Sequence, residues 1–142
     1  MKVYELMYMH GPMCLQNNNR SYGEAYLLGF FSSHSSVQDA ISFYRTVEGF
    51  CSFPDGFLVF EHDVPETDTI YLAELYAHDV DYSFEYVVRL GMFIDSISGQ
   101  NAINCFRQNN KADYTKNNLV VEITLDHYEL NKRECVRGFH FD

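Results

Sequence analysis

One stretch of this chain occurs twice. Leu28-Gly29-Phe30-Phe31, followed by Ser36-Val37-Gln38-Asp39-Ala40-Ile41 and Arg45, returns as Leu90-Gly91-Met92-Phe93, then Ser98-Gly99-Gln100-Asn101-Ala102-Ile103 and Arg107, with 8 of 18 aligned positions identical at a spacing of 62 (28 to 90). Shorter echoes flank it: Glu5-Leu6 with His10 against Glu74-Leu75 with His78, and Val59-Phe60-Glu61 against Val120-Val121-Glu122. Matched blocks recurring in the same order are the signature of a duplicated unit. Whatever fold the first half takes, the second is expected to take again.

Hydrophobic periodicity gives each copy the same grammar. Val3 to His10 and Ala25 to Phe31 are short runs of Tyr, Phe, Leu and Met, separated by a polar stretch from Asn17 to Ser21, and they read as strands joined by a loop. Val37, Ala40, Ile41 and Tyr44 keep the spacing of one buried helical face, with Ser35 or Ser36 as cap and Gly49 as stop. Phe57 to Asp63 is a third strand after Pro54-Asp55-Gly56, where proline fixes one φ and glycine permits a positive one. The second copy predicts strands over 70–78 and 82–93, a helix from Ser98 to about Gln108, and a strand over 119–125 in which Leu119, Val121, Ile123 and Leu125 alternate with other residues.

The expected architecture is therefore α+β. It is a tandem β-β-α-β duplication in one domain over 1–142, with unit one near 1–66 and unit two near 67–142. Antiparallel sheet is covered on one face by two helices about a pseudo-twofold axis, with one shared core. The junction Val64-Pro65-Glu66-Thr67-Asp68 is too short for a flexible linker. The 23 aromatic side chains (11 Tyr and 12 Phe) supply ample core material.

Charge is distributed very unevenly. Residues 1–45 carry three acids and three bases, and residues 89–142 carry seven of each. Between Arg45 and Arg89 ten acids stand with no Lys or Arg, which accounts for the whole net charge of −10. Such a field repels phosphate backbones and anionic membranes and attracts a basic protein, so neither nucleic acid nor membrane is an expected partner. Solvated carboxylates also keep proteins soluble, but acids interspersed with bases would do that without making a one-signed surface. Tyrosines beside carboxylates suit a protein interface, each offering a rigid ring and a hydroxyl. The candidate partner-binding residues are Glu61, Asp63, Glu66, Asp68, Tyr76, Asp79, Asp81 and Tyr82.

Local catalytic signatures are missing. There is no nucleophile elbow, phosphate-binding loop, dinucleotide fingerprint or His-Glu-x-x-His run. The chain is read as a non-enzyme without cofactor or metal. A cluster of Glu61-His62-Asp63 with His78-Asp79 and Asp81 is the nearest approach to a cation site, and strand-end His and Asp more often face water. Cys14, Cys51, Cys105 and Cys135 form no Cys-x-x-Cys pair, and the N-terminal residues lack a signal-peptide pattern. Reduced, mostly buried thiols and a cytoplasmic location are expected.

The first unit resembles a small bacterial domain of unassigned function. The residues that carry this are Leu28-Gly29-Phe30-Phe31-Ser32-Ser33, Ala40-Ile41, Gly49-Phe50, Phe53-Pro54-Asp55-Gly56-Phe57 and Phe60-Glu61, and the resemblance spans about residues 3–66. The second unit departs from it where Lys111-Ala112-Asp113-Tyr114-Thr115 replaces the Pro-Asp-Gly turn. In size, acidity and style the whole chain looks like the immunity proteins of bacterial contact-dependent growth inhibition. That resemblance implies tight binding to one cognate toxin, commonly a nuclease, by a monomer or weak homodimer. The other reading is a small acidic regulatory module with a non-toxin basic partner.

Overall fold

Strand β1 (Lys2–Met9) is apolar on both faces because it is the middle of a three-stranded sheet, between β2 (Ala25–Phe31) and β3 (Phe57–Asp63), antiparallel to both. The computed structural model describes residues 1–9, 25–83, 85–115 and 119–138, without the side chains of 110–115. His10, Cys14, the loop expected over 17–21, Phe84, His140 and the side chains of 111–115 lie outside the described residues. Tyr4, Leu6 and Tyr8 point from β1 into a core completed by Leu28, Phe31 and Phe50 and by one face of helix α1 (His34–Tyr44). That face is Val37, Ala40, Ile41 and Tyr44, all buried, as their spacing predicts.

The second unit repeats the order. β4 (Thr69–His78) is central, with β5 (Glu85–Phe93) on one side and β6 (Val120–Glu129) on the other, and helix α2 (Ser96–Thr115) follows β5. The α+β class holds, with two three-stranded sheets in place of one. The described residues divide into two units, 1–9 with 25–68 and 129–138, and 69–83 with 85–115 and 119–128. The division falls between Asp68 and Thr69, and residues 129–138 go with the first unit.

The repeated Leu-Gly pair is a β-bulge. In the first sheet Leu6 faces Gly29 and Met7 faces Leu27, leaving Leu28 as the extra residue; in the second Ala73 faces Gly91 and Glu74 faces Arg89, leaving Leu90. This register corrects the upstream echo, because Leu6 corresponds to Ala73 and Glu5 to Leu72, not to Glu74. The helix starts also match at the same spacing. Ser33, not Ser35 or Ser36, caps α1: its hydroxyl accepts the Ser36 amide at 3.1 Å, and Ser36 answers the Ser33 amide at 3.3 Å. Ahead of α2, Asp95 accepts the Ser98 amide at 2.7 Å and the Ser98 hydroxyl at 3.0 Å.

Other boundaries move for local reasons. α2 runs to Thr115, beyond the expected Gln108, because neither Gly nor Pro occurs over 109–115 to stop it. β5 begins at Glu85, since Asp79 to Ser83 are consumed by a turn. At Pro54-Asp55-Gly56 the glycine closes the turn through its amide to the Phe53 carbonyl at 3.2 Å, with an ordinary φ. What it supplies is space: a Cβ there would lie 2.6 Å from the Met9 carbonyl oxygen.

Residues 129–138 form a strap on the outer edge of β2, which the sequence does not announce. The Asn131 amide donates to the Phe30 carbonyl at 2.7 Å and the Glu134 amide to the Leu28 carbonyl at 2.9 Å. The buried Tyr44 hydroxyl donates to the Leu28 carbonyl at 3.3 Å and, very closely, to that of Glu134. Burial pushes that phenol's pKa far up, so it stays a donor. Among the described residues no helix is long and apolar enough to cross a membrane.

Candidate partner-binding surfaces

In the second unit the head of the β4–β5 hairpin is built around an imidazole. His78 ends β4 at 4 % exposure and donates from Nδ1 to the Asp79 carbonyl at 2.7 Å, which fixes its tautomer. Tyr82 stacks on its ring at 4.1 Å between centroids and 10° between planes, and Tyr76 packs at 5.2 Å. To reach that stack Tyr82 takes a φ of 59°, a left-handed conformation disfavoured for a bulky side chain. The Ser83 hydroxyl bonds Asp79 at 2.5 Å and its amide bonds Asp81 at 3.2 Å, so both carboxylates are fixed within the turn.

The hairpin therefore presents a preset group to solvent. Val80 is 80 % exposed and Tyr82 60 %, with Asp79 and Asp81 on either side of Val80 in sequence. Half-buried Tyr76 bonds Glu85; partial burial and then the Glu85 carboxylate hold its phenol above the ordinary pKa. A rigid aromatic with ordered acids beside it can dock on a basic surface with little loss of side-chain freedom.

The first unit treats its acids differently. Register places Lys2 opposite Asp63, and the Lys2 amine lies 3.1 Å from Asp63 and 3.6 Å from Glu61. The Asp63 bond, then the charges of Asp63 and Glu61, raise the lysine pKa. The acidic segment is free of bases in sequence, but strand pairing brings a base to it. Glu66 and Asp68 are exposed in the connection to β4, where the Asp68 carbonyl accepts the Leu130 amide at 2.9 Å. Glu5, 1 % exposed, is bonded by His62 Nε2 at 2.9 Å.

Of the eight residues the sequence nominates, Tyr76, Asp79, Asp81 and Tyr82 are gathered by the hairpin, while Glu61, Asp63, Glu66 and Asp68 belong to the other unit. Two features were missed. His78 supports the hairpin head, and β3 carries Leu58, Val59 and Phe60 at 38, 37 and 45 % exposure. An unbroken apolar run without alternation was the available signal for the second. Among the described residues no group of three or more His, Cys, Asp or Glu gathers as a metal site. Cys51, Cys105 and Cys135 are free thiols, but exposed and not buried as expected, since they sit at turn positions or on an outward helix face. Comparison with family models, with curated proteins and with solved structures finds no match for this chain.

Proposed function

We propose that the chain is a stoichiometric inhibitor, an immunity protein that binds a basic toxin domain and covers its active site. The observation that carries this reading is the hairpin head, where exposed Val80 and Tyr82 stand among carboxylates held by Ser83. In this reading Asp79 and Asp81 take the places of nucleic-acid phosphates on the Lys and Arg of a nuclease, and Tyr82 anchors the patch. The toxin class comes from the resemblance to contact-dependent growth inhibition immunity proteins. Action in the cytoplasm and the absence of catalysis belong to the same proposal. We also infer that the two units are copies of one ancestral β-β-α-β unit, supported by the shared strand order, bulge position and helix-start contacts.

The test is a titration of the chain into a nuclease assay of the basic toxin domain encoded beside it. Inhibition complete at one equivalent, and lost with Tyr82→Ala combined with Asp81→Asn, is the expected result. Undiminished nuclease activity in large excess of the chain overturns the proposal.

A further inference from the structure

The two edges of the first sheet are not alike. Strand order β2-β1-β3 makes β2 and β3 the edges, and the strap covers β2 by donating to the Leu28 and Phe30 carbonyls. Among the described residues β3 has β1 as its one neighbour in the sheet. Helix α1 packs on β1 and β2; in β3, Phe57 reaches the core and His62 bonds Glu5, while Leu58 to Glu61 and Asp63 are exposed. Natural sheets usually blunt a free edge with charge, proline or a bulge. β6, also an edge, follows that rule more closely: after Val120 its exposed alternate residues are Glu122, Thr124 and Asp126. β3 follows it only at Glu61 and Asp63, since Leu58, Val59 and Phe60 before them are consecutive and exposed.

Its two faces have different chemistry. Register with β1 puts Leu58, Phe60 and His62 on the face of Met7, Glu5 and Val3, and puts Val59, Glu61 and Asp63 on the face of Leu6, Tyr4 and Lys2. One face offers Leu58 and Phe60 ahead of the His62–Glu5 pair, and the other ends in two carboxylates that share a single lysine. A strand laid along this edge meets Leu58 and Phe60 on one face and, beyond Val59, the carboxylates of Glu61 and Asp63, which one lysine offsets only in part, on the other.

We propose that β3 is a docking edge that accepts an extended segment of the partner as a fourth strand, a segment in which Lys or Arg alternates with apolar residues. Main-chain hydrogen bonds to the free side of β3 hold the segment, Leu58 and Phe60 pack its apolar face, and Glu61 with Asp63 selects the basic one. Charge decides the occupant. A second copy of this chain would bring a net charge of −10 against −10, whereas a basic strand is attracted by the same field. The inference deepens the proposal of a basic partner and rests on it, but its test needs no toxin, so the two can fail separately.

The probe is a fluorescein-labelled peptide of alternating Lys and Val added to the full chain, followed by anisotropy and amide hydrogen exchange. Saturable binding is expected, with slowed exchange in 57–63 and affinity that falls as salt rises. A Glu-Val peptide, and a Lys-Val peptide with alternate amides N-methylated, should each bind about ten-fold or more weakly. Phe60→Lys, at an exposed position, should weaken the unmodified peptide similarly while leaving the circular dichroism unchanged. The proposal is overturned by equal binding of the Glu-Val or N-methylated peptide, or by protection confined to other segments. Sedimentation showing that the chain alone dimerises with 57–63 protected also overturns it, in favour of a second copy.

Discussion

The bulges at Gly29 and Gly91 occupy the same place in their sheets and are held in different ways. Gly29 has a φ of 141°, and a Cβ there would sit 2.6 Å from the Lys132 carbonyl oxygen of the strap. Gly91 has no positive φ, and its Cβ would meet the outer atoms of the Phe93 ring at 2.6 and 2.8 Å. One glycine is required by backbone conformation and by a neighbouring backbone, the other by a side chain that can rotate. The strap thus turns a shared sequence motif into a strict requirement in one unit alone.

Gly29→Ala and Gly91→Ala put that difference to the test. Strain at a disfavoured φ together with overpacking against backbone should cost ~2 to 5 kcal/mol at Gly29. At Gly91, where Phe93 can yield, ~1 kcal/mol is expected. Chemical denaturation of the two variants measures both, and equal losses would mean that the strap does not constrain the first bulge. Tyr44→Phe comes next in size. It removes a donor shared by the Leu28 and Glu134 carbonyls, so ~1 to 2 kcal/mol is expected. Faster amide exchange at Asn131 and Glu134 should accompany the loss, with β4 and β5 unchanged.

The helix starts separate the units by pH. Ser33→Ala should cost ~1 kcal/mol at any pH, since a hydroxyl cap does not titrate in the working range. Asp95 has its pKa lowered below the ordinary 3.8, first by the Ser98 amide and then by its hydroxyl. A lowered folded-state value stabilises above the ordinary carboxylate pKa and is lost as pH falls through the lowered one. Acid titration monitored by NMR should therefore loosen the first turn of α2 below about pH 4 while α1 keeps its own. Asp95→Asn should abolish that difference.

How legible this was from sequence depends on how local the cause is. The buried face of α1 and strand β3 follow from spacing within a few residues, and the structure has them at Val37, Ala40, Ile41, Tyr44 and at 57–63. The repeat revealed the Leu-Gly pair, but its meaning as a bulge needed the register with β1 and β4. Non-local partners were invisible. Asn131 and Glu134 look like loop residues, and what fixes them is the backbone of Phe30 and Leu28, whose carbonyls have no side-chain code. Lys2 lies in a neutral flank of the sequence and becomes the counterion of the acidic segment only once β1 pairs with β3. For the candidate site, composition found the carboxylates, whereas the left-handed turn that orders Asp79 and Asp81 depends on a tyrosine in a conformation no propensity scale favours.

The smallest effect on stability should come from the acids of that turn, and there the two units separate once more. Asp81 is exposed and bonds one amide, while Glu61 and Asp63 share Lys2 at the surface. Asp81→Asn keeps an oxygen for the Ser83 amide, so the thermal midpoint should shift by no more than about 0.5 kcal/mol of stability implies. Binding should respond far more. With the hairpin head against a basic groove, removing one charge slows steered association, and the slowing should vanish as salt shortens the screening length from ~10 Å at 0.1 M to ~3 Å at 1 M. Glu61→Gln should do less, because Lys2 already offsets part of its field. Association rates of both variants with the toxin domain across a salt series compare the two surfaces directly. If Glu61→Gln slows binding more than Asp81→Asn, the main electrostatic contact lies with the first unit, and Tyr82 loses its place as the anchor.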